Sequence, residues 1–113
     1  MSQSVTTQTE QGLYVHPEAL TAHLPALDYR SGALYMEQVS IAEVVKNYGT
    51  PCYVYSKQAI LDVYQAYTTS FASLPHQICY AVKANSNLAV LGILAQAGEG
   101  FDIVSRGELM RVL

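Results

Sequence analysis

Lys83 is placed for covalent chemistry. The apolar run Ile78-Cys79-Tyr80-Ala81-Val82 ends abruptly in this lysine, which Ala84 and then Asn85-Ser86-Asn87 follow. A run of that kind, without polar alternation, reads as a strand of a parallel sheet covered on both faces. Partial burial at the end of such a strand favours the neutral amine, and attack on an aldehyde carbon requires a neutral amine. On the run alone, a strand-end lysine reaching into solvent is the simpler reading. Other candidates are weaker. Gly98-Glu99-Gly100 follows a predicted helix and precedes a strand, whereas a phosphate cradle runs from strand through glycines into a helix N-terminus. These glycines read as turn residues. His16, His23 and His76 lack metal-ligand spacing, so no metal is predicted. Cys52 and Cys79 form no Cys-x-x-Cys pattern and read as buried free thiols of a cytosolic protein.

The residues around and beyond Lys83 change that balance. Tyr80-Ala81-Val82-Lys83-Ala84-Asn85 leads into Asn87-Leu88-Ala89-Val90-Leu91, then Gly100-Phe101-Asp102-Ile103-Val104-Ser105-Arg106-Gly107-Glu108-Leu109. Upstream stands Tyr48-Gly49-Thr50-Pro51-Cys52-Tyr53-Val54-Tyr55. In order and spacing these segments resemble the diaminopimelate decarboxylases, enzymes of lysine biosynthesis that depend on pyridoxal 5'-phosphate (PLP). Ornithine and arginine decarboxylases share a similar lysine motif, usually with Cys where Ala84 stands. Alanine racemases follow theirs with a tyrosine- and glycine-rich stretch that does not occur here. An ornithine- or arginine-type decarboxylase piece, or a non-catalytic truncated product, is the alternative.

The resemblance implies that Lys83 holds PLP as a Schiff base and then helps with proton transfer. It places Asp102 close to the cofactor, where a carboxylate steadies the protonated imine or orients the lysine. A strand-end aspartate accepting backbone N–H bonds is the equal alternative. Glu108 matches a glutamate that supports the site in related decarboxylases, yet Ser105-Arg106-Gly107-Glu108 is also a capping box, and capping is the direct role expected. Asn85 is expected to line the pocket. The implied reaction converts meso-2,6-diaminoheptanedioate to L-lysine and carbon dioxide in a homodimer. Donors for the PLP phosphate and an acidic partner for its ring nitrogen are not evident in residues 1–113; the resemblance assigns them to later barrel strands.

The elements that must position these groups are legible from periodicity. Ser40 and Glu43 form a capping box opening a helix over 40–49 with the apolar face Ile41, Val44, Val45 and Tyr48. Gly49 suits the left-handed position after it, and Pro51 stops it. Cys52-Tyr53-Val54-Tyr55 reads as a strand. Ser56 then caps a second helix whose core face is Ile60, Val63, Tyr64, Tyr67 and Phe71. Strand 78–82, helix 87–97, strand 101–104 and a helix from 106 follow, with Asn85, Ser86 or Asn87 as N-cap. This alternation is the signature of parallel βαβ units. A flavodoxin-like or Rossmann sheet has the same local pattern. The resemblance selects the first βα units of a (β/α)8 barrel, preceded by an irregular segment with one helix over 13–50 in which Ser31-Gly32 makes a tight turn. Residues 1–12 are polar and expected to be disordered.

Half of the residues are hydrophobic and the net charge is −3, the composition of a globular protein. Six unclustered basic residues argue against nucleic acid as a partner. No stretch approaches the roughly 18 apolar residues of a membrane span, and the first ten residues lack the basic start and apolar centre of a secretory signal. Cytoplasmic residence is expected. A complete barrel needs about 250 residues, so 113 read as an N-terminal piece of a longer enzyme, inactive by itself.

Overall fold

The computed structural model describes residues 8–9, 12–13, 21 and 24–113. The expected disorder of residues 1–12 lies outside them, apart from a short antiparallel pair between β1 (Gln8–Thr9) and β2 (Gly12–Leu13). His16 and His23 also lie outside them. The chain divides into two units, residues 1–56 and 57–113.

The first unit contains an antiparallel meander of β3 (Leu27–Arg30), β4 (Ala33–Met36) and β5 (Val39–Ser40). Ser31 and Gly32 join β3 to β4 with φ of 50° and 80°, and Arg30 pairs with Ala33. A two-residue turn with both φ positive matches the right-handed twist of its strands, and glycine adopts it without steric cost. Arg30 ties the meander together. Its Nε donates to Asp28 at 2.9 Å, its Nη1 to Gln38 at 3.1 Å and its Nη2 to the Glu37 carbonyl at 2.8 Å. The described part of this region is therefore more regular than the irregular segment expected over 13–50.

Helix α1 (Ile41–Tyr48) follows directly from β5. The capping box expected at its start does not form, because Ser40 makes no side-chain capping bond. Ser40 is committed as the last residue of β5, paired with Tyr35. Gly49 ends the helix at φ 77°, its N–H donating to the Val45 carbonyl at 2.8 Å. Ile41 and Val44 are half-buried, whereas Val45 and Tyr48 are exposed, so only part of the expected apolar face is covered. Residues 52–55 are not a strand, because no segment among the described residues forms a ladder with them. Ser56 is buried and its hydroxyl donates to the Glu37 carboxylate at 2.6 Å.

The second unit runs α2 (Lys57–Ser70), β6 (Cys79–Ala81), a 3-10 turn (Val82–Ala84), α3 (Leu88–Ala97), β7 (Gly100–Asp102) and α4 (Arg106–Val112). β6 and β7 pair in parallel, with Cys79 opposite Gly100 and Ala81 opposite Asp102. α3 is thus the crossover of a βαβ unit, as the alternating pattern predicts. Its N-cap is Asn87, whose side chain accepts from the Ala89 N–H at 2.9 Å. It ends at Gly98 in a left-handed conformation, φ 90°. The Gly98 N–H returns to Ala95 and the Glu99 N–H to Leu94, both at 3.1 Å, satisfying carbonyls the helix leaves unpaired. Gly98 is a turn residue, as expected, whereas Gly100 is already the first residue of β7, paired with Cys79.

Val82, Val90, Leu91 and Leu94 form the buried apolar core. The strand expected to be covered on both faces is covered on one. Two strands and their helices leave the other face open, and Cys79 is exposed. Cys52 is exposed as well, so both thiols are free but neither is buried. On α2 the sheltered positions are Ala59, Ile60, Leu61, Tyr64 and Thr68, while Val63, Tyr67 and, just past the helix, Phe71 are about half exposed. The expected core face mixed these two i, i+4 stripes, and only Ile60 and Tyr64 belong to the covered one.

Candidate active site

Lys83 occupies the 3-10 turn immediately beyond β6, and Asp102 is the last residue of β7, opposite Ala81. Because the strands are parallel, both residues lie at the same C-terminal edge. That edge is where parallel α/β sheets bring chemistry together, since side chains leaving the strand ends converge there. The strand expected over 101–104 is Gly100–Asp102 instead, so Asp102 ends it and lies at the Lys83 edge. Both side chains are exposed, and no hydrogen bond engages either among the described residues. Lys83 therefore lacks the partial burial expected from its apolar run, because Val82 turns into the core and the next residue faces out.

The backbone behind Lys83 is held much more firmly than its side chain. The Tyr80 hydroxyl donates to the Asn85 carbonyl at 3.3 Å. The Asn85 side-chain oxygen accepts from the Asn87 N–H at 3.0 Å, closing an Asx turn. Arg111 Nη1, from α4, donates to the Ser86 carbonyl at 3.2 Å. Asn85 is half-buried, and its amide oxygen is occupied in shaping this loop. Asn87, rather than Asn85 or Ser86, is the cap of α3.

Glu108 acts at the start of α4. Ser105 Oγ accepts from the Glu108 N–H at 3.2 Å, and Glu108 Oε2 accepts from the Val104 N–H at 2.7 Å. This is the reciprocal arrangement of a capping box, displaced so that the carboxylate meets the residue before the cap. The sequence motif announced it.

Three features had no such signal. The Arg111 contact joins residues 25 apart with no local pattern. The Tyr80 hydroxyl could be assigned to the loop only once its path was known. Glu99, at the turn into β7, has a buried Oε2 with no hydrogen-bond partner among the described residues, and desolvation raises its pKa above the ordinary 4.5. His76 Nδ1 lies 2.9 Å from the Leu74 carbonyl, and no metal-ligating cluster occurs among the described residues.

Comparison with known proteins fits this arrangement. Residues 57–113 match the family model of the pyridoxal-dependent decarboxylase, pyridoxal binding domain. Diaminopimelate decarboxylase of Pseudomonas aeruginosa is 51% identical over 90 residues, which is 80% of this chain and 22% of that protein. A crystal structure of an Aquifex aeolicus protein is similar over 82% of this chain and 23% of its own, with TM-score 0.76 and 44% identity. The crystal structure of an M. jannaschii diaminopimelate decarboxylase in complex with L-lysine is similar over 77% of this chain and 21% of its own, with TM-score 0.73 and 32% identity. The chain thus spans about a fifth of the length of the relatives it matches. Through residues 57–113 it belongs to the pyridoxal-dependent decarboxylases, as a piece of their pyridoxal-binding domain.

Proposed function

We propose that this chain supplies the cofactor-attachment lysine of a PLP-dependent diaminopimelate decarboxylase. The parent enzyme converts meso-2,6-diaminoheptanedioate to L-lysine and carbon dioxide as a homodimer. The observation that carries the reading is Lys83 at the C-terminal edge of a parallel strand pair, its amine unengaged among the described residues. On this reading β6, α3, β7 and α4 are early units of a (β/α)8 barrel, whose chemistry gathers at that edge.

The donor set fits one part of PLP. Lys83 offers a primary amine for the aldehyde, and Asp102 offers a carboxylate at the same edge for a nearby positive charge. When bound, PLP supplies an electron sink for the electron pair left as carbon dioxide departs. Lys83 Nζ is also placed to hold a proton and return it at the same edge. Asn85 shapes the loop that carries Lys83, and Glu108 supports the site from a distance by fixing the start of α4. The donors for the phosphate and the ring nitrogen come from residues beyond these.

The test is substrate turnover by the full-length parent containing these residues. Release of carbon dioxide from meso-2,6-diaminoheptanedioate, and not from ornithine or arginine, is expected, with loss of turnover in Lys83→Ala. Preference for ornithine or arginine would overturn the substrate assignment, and full activity of Lys83→Ala would overturn the lysine's role.

A further inference from the structure

We propose that Tyr80 and Arg111 are positioning residues that set the direction of Lys83 by holding two successive peptides of the loop behind it. The inference rests on the reading of Lys83 as the cofactor-attachment residue. The Tyr80 hydroxyl takes the carbonyl of the Asn85–Ser86 peptide at 3.3 Å. The next peptide is gripped at both ends. Arg111 Nη1 donates to its Ser86 carbonyl at 3.2 Å, and its Asn87 N–H is accepted by Asn85 Oδ1 at 3.0 Å. Asn87 then caps α3, so the loop passes directly from this grip into a fixed helix.

Lys83 needs such help because its own side chain is exposed and unengaged among the described residues. Its Cα is fixed from one side by the β6–β7 ladder, which ends at Ala81. On the other side the 3-10 turn runs into this loop, whose path the three bonds fix. Two of the donors come from different places: Tyr80 from the lysine's own strand, Arg111 from the last turn of α4, beyond β7. The direction of Lys83 is therefore coupled to α4. Arginine gives up less side-chain entropy per bond in making this contact, because its planar guanidinium is pre-organised.

The test compares the 113-residue chain with Arg111→Met, Arg111→Lys and Tyr80→Phe. One readout is hydrogen exchange of the Asn87 N–H, which requires no cofactor. The other is the rate at which added PLP becomes fixed to Lys83 by borohydride. In Arg111→Met, loss of one exposed hydrogen bond should speed Asn87 exchange roughly threefold to tenfold and slow Lys83 labelling comparably. Arg111→Lys, which keeps a cationic donor, should recover most of both changes. Unchanged Asn87 exchange in Arg111→Met, with the α4 amides still protected, overturns the grip. Faster exchange with unchanged Lys83 labelling overturns the positioning role. If Arg111→Met unfolds α4, Tyr80→Phe decides by the same two readouts, since it removes only the hydroxyl. A wild-type chain that fails to label Lys83 defeats the attachment reading instead, and exchange then decides the loop grip alone.

Discussion

Glu108 distinguishes a carboxylate that caps a helix from one that serves a cofactor. Replacing it with alanine removes the 2.7 Å bond to the Val104 N–H and a negative charge from the first turn of α4. An exposed hydrogen bond of this kind contributes about 1 kcal/mol. The charge at the helix N-terminus adds about 0.3–1 kcal/mol. Alanine returns a few tenths of a kcal/mol through its helix propensity. The net loss expected for Glu108→Ala is thus about 1 kcal/mol, and each kcal/mol moves the melting midpoint by roughly 4–8 °C in a domain of this size. Glu108→Gln keeps an oxygen that can accept from Val104 and loses only the charge, so it should cost about 0.5 kcal/mol. Thermal melting read by circular dichroism gives these values, and borohydride labelling of Lys83 by PLP is measured alongside. The capping account expects labelling to be retained in the glutamine variant. Strongly reduced labelling in a Glu108→Gln chain of near wild-type stability would refute it and assign the carboxylate a direct role at the cofactor.

Two further predictions concern stability. Burial raises the Glu99 carboxyl above its ordinary value, so the folded chain keeps this proton to higher pH than the unfolded chain does. Its contribution is fully present below pH 4.5 and is lost as pH rises through the raised folded value. Melting of Glu99→Gln followed from about pH 3 to 8 should lack this decline, and a variant with the same decline as wild type would show that Glu99 is not its source. The cap that forms at Asn87 and the expected one at Ser40 that does not should also separate. Asn87→Ala, which removes a formed cap, should cost about 1 kcal/mol, and Ser40→Ala, which removes none, less than about 0.5 kcal/mol by urea unfolding; equal costs would contradict the cap geometry.

The legible parts of the fold were those set by local chemistry. Ser105, Gly49 and Gly98 start or stop helices through bonds to near neighbours, so their residue types suffice to place them. The same chemistry narrowed the α3 cap to Asn85, Ser86 or Asn87, of which Asn87 serves. The Lys83 motif was legible because an apolar strand, a lysine and an amide-rich cap occur in unbroken succession. What failed depended on what lies across from a segment. Residues 52–55 have the composition of a strand, but a strand exists only with a partner, and the described residues contain none. Cys79 belongs to an apolar run, yet a two-stranded sheet covers only one of its faces. Ser40 followed the capping pattern but was already the end of a strand. The α2 stripe of Val63, Tyr67 and Phe71 is as regular as the one containing Ile60 and Tyr64, and periodicity cannot say which of the two is covered. Arg111 was invisible for the converse reason, since its partner is chosen by the return of the chain through β7.

The most direct test of the central claim is borohydride trapping of PLP on the purified chain, followed by peptide mapping. Its three lysines are Lys46, Lys57 and Lys83, so selectivity can be read completely. Near-stoichiometric labelling of Lys83, with Lys46 and Lys57 spared, is the predicted result. Labels scattered over all three lysines and the N-terminus would contradict it, because the strand edge and its loop would then confer no preference on Lys83.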